Sequence, residues 1–209
     1  MYTAIAFEAF GARIGIRVAE SVASDVRPLL PPRARLITAE DYDTVYSVNS
    51  IPSKSSSHTI YQLERDGADV GSYRSLSRIC RELESDMHFR VALAARDFLF
   101  VHAGVVQWKG QAVVVPGRTE TGKSSLIMAL VDAGGNYFSD EYAVLDREGR
   151  VHSYPKSLSQ RRDGGPPRLH TAEALGGQQE APAMPMDFTL ITRFRDGATW
   201  NPRRINRAE

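Results

Sequence analysis

Cysteine is nearly absent. Cys80 stands alone in 209 residues, so no intrachain disulfide can form and no thiolate zinc cluster can be built. No apolar run approaches the length needed to cross a bilayer. The opening "MYTAIAFEAFGARIGIRV" lacks the charged-then-apolar pattern of a signal peptide. Neither sign of charge is in excess: 26 Lys and Arg face 25 Asp and Glu, which argues against holding nucleic acid by bulk electrostatics. No internal repeat is present. The expectation is a cytoplasmic protein with no nucleic-acid and no membrane partner. What remains has the balance of a globular chain, 42% hydrophobic and 24% charged, long enough for one sizeable domain with an appendage.

The first part, residues 1–72, reads as a small N-terminal α/β region. Residues 2–18 suggest short strands broken at Gly11 and Gly15, and prolines at 28, 31 and 32 then interrupt regular structure. "TVYSVNS" and "HTIYQLERDGADV" are rich in β-branched and aromatic residues, with Asp66-Gly67 placed for a hairpin turn. From Ser75 the period changes. Leu76, Ile79, Cys80, Leu83, Met87, Val91 and Ala94 recur at steps of three and four, which makes one amphipathic helix at the start of a second unit, residues 73–209.

Two apolar runs around Lys109-Gly110 predict a hairpin. "GKSSLIMALVDAGG" predicts a helix stopped by Gly134 or Gly135. "NYFSDEYAVLDREGRVHSYP" predicts a strand, a turn at Glu148-Gly149 and a second strand. Residues 160–185 read as loop, "DFTLITRFR" as one last strand, and "NPRRINRAE" as the opening of a helix.

The residues Gly117, Arg118, Thr119, Glu120, Thr121, Gly122, Lys123 and Ser124 satisfy G-x-x-x-x-G-K-[ST]. Glycines let successive backbone N–H groups face one anion, and the helix that follows adds its positive end. Lys123 would reach the β- and γ-phosphates and the Ser124 hydroxyl would ligate Mg²⁺. Ser125 completes the candidate nucleotide-binding stretch, although as the helix's second small residue it is expected chiefly to pack. "AVVVP" before the turn and "SSLIMALVDA" after it supply the strand and helix the pattern requires. Glu120 is an oddity, because a carboxylate inside the loop must point away from phosphate.

Seventeen residues past Lys123 comes Asp140, followed by Glu141. A turn, one helix and a tight return would bring their strand beside the first, with carboxylates where a metal or a reacting hydroxyl would be. One of them could have a raised pKa and serve as general base. Without the phosphate turn the same residues would read as a solvated turn. His102, fifteen residues before Gly117, has two readings from chemistry alone: a member of the site, or a satisfied core histidine. Arg161 and Arg162 are phosphate contacts or an exposed charged loop.

These residues together carry a family resemblance. His102, "AVVVPG", "TGKSS" and "SDEYAVLD" look like the catalytic domain of HPr kinase/phosphorylase. More specifically, "LFVHAGVV", "PGR", "GKSSL", "YFSDEYAVLD" and "GRVHSYPKSLSQR" resemble the HPr-kinase-related proteins of bacterial biosynthetic clusters, some of which phosphorylate small precursor peptides. The matches cover residues 98–162, looser similarity reaches about 197, and residues 1–70 add little. The resemblance implies an α/β P-loop domain of the HPr kinase/PEP carboxykinase-like type, with a mixed sheet and a small N-terminal α/β elaboration. It implies ATP and Mg²⁺ as cofactors and a small protein or precursor peptide as acceptor; a homo-oligomer is compatible with it.

Carried over, Lys123 would bind phosphate and Ser124 the metal. Asp140 would take the proton from a substrate serine, Glu141 would assist with the metal, and His102 would sit at the same site. The sequence departs from the family in having Glu141 where a second aspartate is usual and no glycine within "RTET". No basic clamping loop is recognisable after residue 162, and the helical C-terminus that docks HPr is not expected within residues 1–209, whose end reads as either cut short or unusually short. These departures point away from HPr itself as the acceptor. A nucleotide-dependent carboxykinase, a simple NTPase and a nucleotide-binding regulatory module stand as rivals.

Overall fold

The computed structural model describes residues 1–39, 41–52, 59–118, 121–162, 165–193, 197, 199 and 201–205; of Pro52, Arg161, Arg162 and 165–167 it describes the backbone alone. The chain is mixed α/β, with two mixed sheets. The first begins with β1 (Tyr2–Ala9) and β2 (Ala12–Ala19), an antiparallel pair closed by Phe10 and Gly11, both at positive φ (52° and 81°). Ile5, Phe7 and Ala9 alternate inward on β1, and Ile14, Ile16 and Val18 do so on β2. The break expected at Gly15 does not occur. Gly15 lies inside β2, where a Cβ would stand 3.3 Å from the Tyr42 ring, so close packing and not a turn requires the glycine.

A short helix α1 (Ala23–Val26) follows, then β3 (Arg35–Leu36), β4 (Thr44–Pro52), β5 (Thr59–Arg65) and β6 (Ala68–Tyr73). The sheet order is β3-β1-β2-β4-β5-β6, with β2 and β4 parallel and the other neighbours antiparallel. Asp66 and Gly67 form the expected turn between β5 and β6. Helix α2 (Leu76–Ala94) buries Ile79, Leu83, Met87 and Val91 against this sheet, each worth roughly 1.5–3 kcal/mol. The helix thus packs on the N-terminal sheet, although its sequence position places it in the second unit. Asp86 fastens it there, accepting from Tyr46 Oη (2.6 Å) and Arg65 Nη1 (2.9 Å).

The second sheet is closed on itself. β7 (Leu99–Trp108) and β8 (Gln111–Pro116) form the hairpin expected around Lys109-Gly110. α3 (Lys123–Asp132) follows, then β9 (Asn136–Ser139), β10 (Tyr142–Leu145), β11 (Arg150–His152) and β14 (Met184–Thr189), the last reached after β12 (Leu158–Arg162) and β13 (Gly165–His170). β7 pairs with β8, β8 with β14 in parallel, β14 with β11, β11 with β10, and β10 with β7 again, which makes a barrel-like ring.

Three expectations are corrected. The single strand expected from Asn136 to the Glu148-Gly149 turn is two, β9 and β10, interrupted at Asp140-Glu141. The expected loop 160–185 contains part of β12 and all of β13, an antiparallel hairpin. Residues 201–205 are not helical. No helix among the described residues is long and apolar enough to cross a membrane.

An aromatic cluster joins the two sheets. Phe10 from the β1–β2 turn meets Phe98, Phe100 and Tyr154 at centroid distances of 5.2–5.8 Å, and Tyr142 stacks edge-on against Phe100 and Tyr154. His88 on α2 is part of the same seam. Its Nε2–H donates to the Leu29 carbonyl (3.2 Å), which leaves Nδ1 to accept from the Tyr154 hydroxyl (2.8 Å). Burial, helped by the Lys156 charge, pushes its pKa down to about 3.

The unfolded chain therefore protonates His88 below about pH 6.5, while the folded chain does not until about 3. Acidification across that window removes stability at about 1.4 kcal/mol per pH unit. Denaturant titrations at pH 7 and pH 5 should show the native chain losing about 2 kcal/mol more than His88→Gln, which can keep the bond to Leu29. Equal losses would contradict the buried neutral ring.

Candidate phosphate site and acidic bend

The hairpin register sets the site. Pro116 at the end of β8 lies opposite Ala103, so the chain leaves the sheet beside His102 and enters the glycine-rich turn there. Gly122 sits at φ +86° as the N-cap of α3, a conformation that side chains on L-residues resist. Lys123 is 6% exposed and its Nζ donates to the carbonyls of Gly117 and Arg118, both at 2.7 Å. Burial lowers the pKa of Lys123, against the opposing pull of the Asp140 and Glu141 carboxylates. The Thr121 hydroxyl donates to the Arg118 carbonyl (2.9 Å), and its own carbonyl accepts from Thr192 Oγ1 (3.3 Å), beyond β14. Thr119 and Glu120 lie outside the described residues. Ser125 is exposed on α3 and not packed as expected.

The acidic pair arrives along the other edge of β7. β9 and β10 lie end to end on that edge, Val105 opposite Ser139 and His102 opposite Tyr142, so Asp140 and Glu141 fall at the gap between them. Their strand is not beside β8 as expected. β7 occupies that edge of β8 and β14 takes the other, which places the carboxylates one strand further off but at the same end.

The Ser124 hydroxyl donates to Asp140 Oδ2 at 2.9 Å, so the first turn of α3 and the acidic gap are in contact. Asp140 Oδ1 is buried and has no hydrogen-bond partner among the described residues. Burial is the largest cause of a pKa raised from 3.8 to about 6, opposed by the Ser124 bond and the Lys123 charge, with Glu141 pushing the same way as burial.

Sequence reasoning missed two residues here. Gly104 sits beneath Asp140: a Cβ there would meet Ile127 Cγ1 at 2.6 Å and lie 3.7 Å from Asp140 Oδ1. Ser139 is fully buried and its Oγ accepts the amides of Glu141 (3.1 Å) and Tyr142 (3.0 Å), which turns the chain out of β9. A serine directly before the acidic pair was the available signal for Ser139. A glycine inside an apolar strand was the signal for Gly104.

His102 is exposed, which excludes the core-histidine reading, and its Nδ1 lies 3.0 Å from the Glu141 carbonyl. Arg161 and Arg162 fall on β12, their side chains outside the described residues. Two clefts open elsewhere, one of about 320 Å³ around Asp146 and His152 and one of about 400 Å³ around Arg13 and Asp43; neither is lined by the loop.

The donor set suits a hard cation. A serine hydroxyl and an aspartate are in contact, one carboxylate oxygen has no donor among the described residues, and Glu141 adjoins. No group of three or more His, Cys, Asp or Glu side chains gathers as a metal cage among the described residues. No protein-family model matches the chain, and no curated protein or solved structure is significantly similar to it.

Proposed function

We propose that the chain binds ATP with Mg²⁺ and transfers the γ-phosphoryl group to a serine or threonine hydroxyl of a small protein or precursor peptide. In this reading the second unit is a P-loop domain of the HPr kinase/PEP carboxykinase-like type. The observation that carries it is the 2.9 Å bond between Ser124 and Asp140, which joins a phosphate-type loop to a carboxylate of raised pKa. A glycine turn with a solvated lysine would have neither a buried Lys123 nor that contact.

The loop amides and the start of α3 cradle the polyphosphate. Lys123 exchanges the neutral carbonyls of Gly117 and Arg118 for anionic phosphate oxygens, a stronger pairing. Ser124, with the Glu141 carboxylate adjoining, would hold Mg²⁺, which would supply neutralisation of the phosphate charge. Asp140 takes the acceptor's hydroxyl proton on Oδ2, the oxygen that also accepts from Ser124 at the start of α3. The acceptor oxygen bonds to the γ-phosphorus as the bond to the bridging oxygen breaks, and ADP leaves. A carboxylate with a pKa of about 6 is mostly ionised at pH 7, yet close enough in basicity to share a proton in the transition state.

Calorimetry of ATP binding, with and without Mg²⁺, tests the nucleotide part. Binding should require Mg²⁺ and weaken at least tenfold in Lys123→Ala, the loss of a charge-assisted bond of roughly 1.5–3 kcal/mol. No binding by the unmodified chain would sink the proposal.

A further inference from the structure

The gap between β9 and β10 carries both carboxylates of the site, and groups outside the pair set its shape. On one side Ser139 Oγ accepts two amides, those of Glu141 and Tyr142. On the other, the Glu141 carbonyl accepts from the Ala103 amide (3.3 Å) and stands 3.0 Å from His102 Nδ1. A carbonyl oxygen only accepts, so His102 must carry its ring proton on Nδ1 to make this bond. Nε2 makes no hydrogen bond among the described residues. The ring has a second neighbour in Tyr142, near edge-on at 6.4 Å and 75°.

We propose that His102 is a positioning residue: through Nδ1–H it holds the Glu141 carbonyl, and with it the angle at which Asp140 and Glu141 face the phosphate loop. This rests on the phosphotransfer reading and gives the histidine a task other than proton transfer. Nδ1 is then the atom that matters. Asparagine places an amide nitrogen where Nδ1 stands and can replace it. Glutamine places its nitrogen where Nε2 stands and cannot. A histidine that moved protons would be lost equally in both.

Two measurements decide it. First, a long-range ¹H–¹⁵N spectrum of the histidine-labelled chain, without nucleotide and at pH 8, reads the tautomer of the neutral ring. The Nδ1–H form of His102 is expected, and the Nε2–H form would overturn the proposal whatever the activity. Second, calorimetric affinity for Mg²⁺–ADP and the initial transfer rate are compared across His102→Ala, His102→Gln and His102→Asn, each checked for a native melting transition.

Alanine and glutamine should lower the rate about tenfold and the affinity several-fold, and asparagine should recover most of both. Asparagine as impaired as alanine, or alanine with undiminished affinity, would overturn it. If the unmodified chain transfers no phosphoryl group, the phosphotransfer reading fails alone, while the tautomer and the Mg²⁺–ADP affinities still decide the role of His102.

Discussion

Asp140→Asn should abolish phosphoryl transfer, lowering the rate by about a thousandfold, while ATP still binds. The amide cannot take a proton at neutral pH, and general-base assistance contributes roughly 10²–10⁴. It can still accept the Ser124 hydroxyl at the position of Oδ2, so the start of α3 stays in place. Radiolabelled γ-phosphoryl transfer to serine-containing peptides, beside ATP calorimetry on the same samples, separates the two effects. A binding module would show no transfer to lose in either protein. A simple NTPase would release phosphate without labelling any peptide.

The same substitution has a stability signature that does not depend on finding the acceptor. The Asp140 pKa is higher in the folded chain, about 6, than in the unfolded one. Its carboxylate therefore costs stability above pH 6, and the cost fades as pH falls through 6 toward 3.8. Relative to the native chain, Asp140→Asn should gain roughly 2 kcal/mol between pH 4 and pH 8. The slope is the observable, because any cost of burying the amide is independent of pH. His88 titrates over the same window with the opposite sign in both proteins and cancels in the difference. A flat difference would mean that Asp140 is well solvated and unsuited as a base.

Legibility in the sequence followed the range of the interaction. α2 was readable because its apolar period is local and long, and the turns at Asp66-Gly67 and Lys109-Gly110 were readable from their residue types. The β12–β13 hairpin was not, because paired glycines and prolines signal loop while its pairing depends on register alone. The barrel closure was also hidden: β14 lies parallel to β8 some seventy residues later in the chain, and nothing in either segment announces the other.

The site divides in the same way. Gly117–Ser124 and Asp140-Glu141 declare themselves by residue type and spacing. What they need around them comes from residues chosen for shape, whose partners are distant in sequence: Gly104 against Ile127, and the Glu141 carbonyl against His102.

Gly104→Ala should therefore damage the site without touching any titratable or phosphate-binding group. The added carbon would stand 2.6 Å from Ile127 Cγ1 and 2.8 Å from Cδ1. Ile127 cannot yield, being fully buried in a cluster with Val106, Val115 and Tyr137, so α3 must lift from β7. The lift should cost about 1–3 kcal/mol of stability, as overpacking does. It should also draw Ser124 away from Asp140, and a displacement of about 1 Å at a reacting centre lowers a rate roughly a hundredfold. Ile127→Ala removes both clashing carbons and should itself cost roughly 2–5 kcal/mol as a cavity. In the double variant the new methyl occupies part of that cavity. Its loss of stability should fall short of the summed single losses by about 1 kcal/mol or more, and transfer should recover at least tenfold over Gly104→Ala. Denaturant unfolding and transfer rates on all four proteins provide the test. Additivity within about 0.5 kcal/mol, with no recovery of rate, would show that Gly104 is not what seats the phosphate loop against the acidic pair.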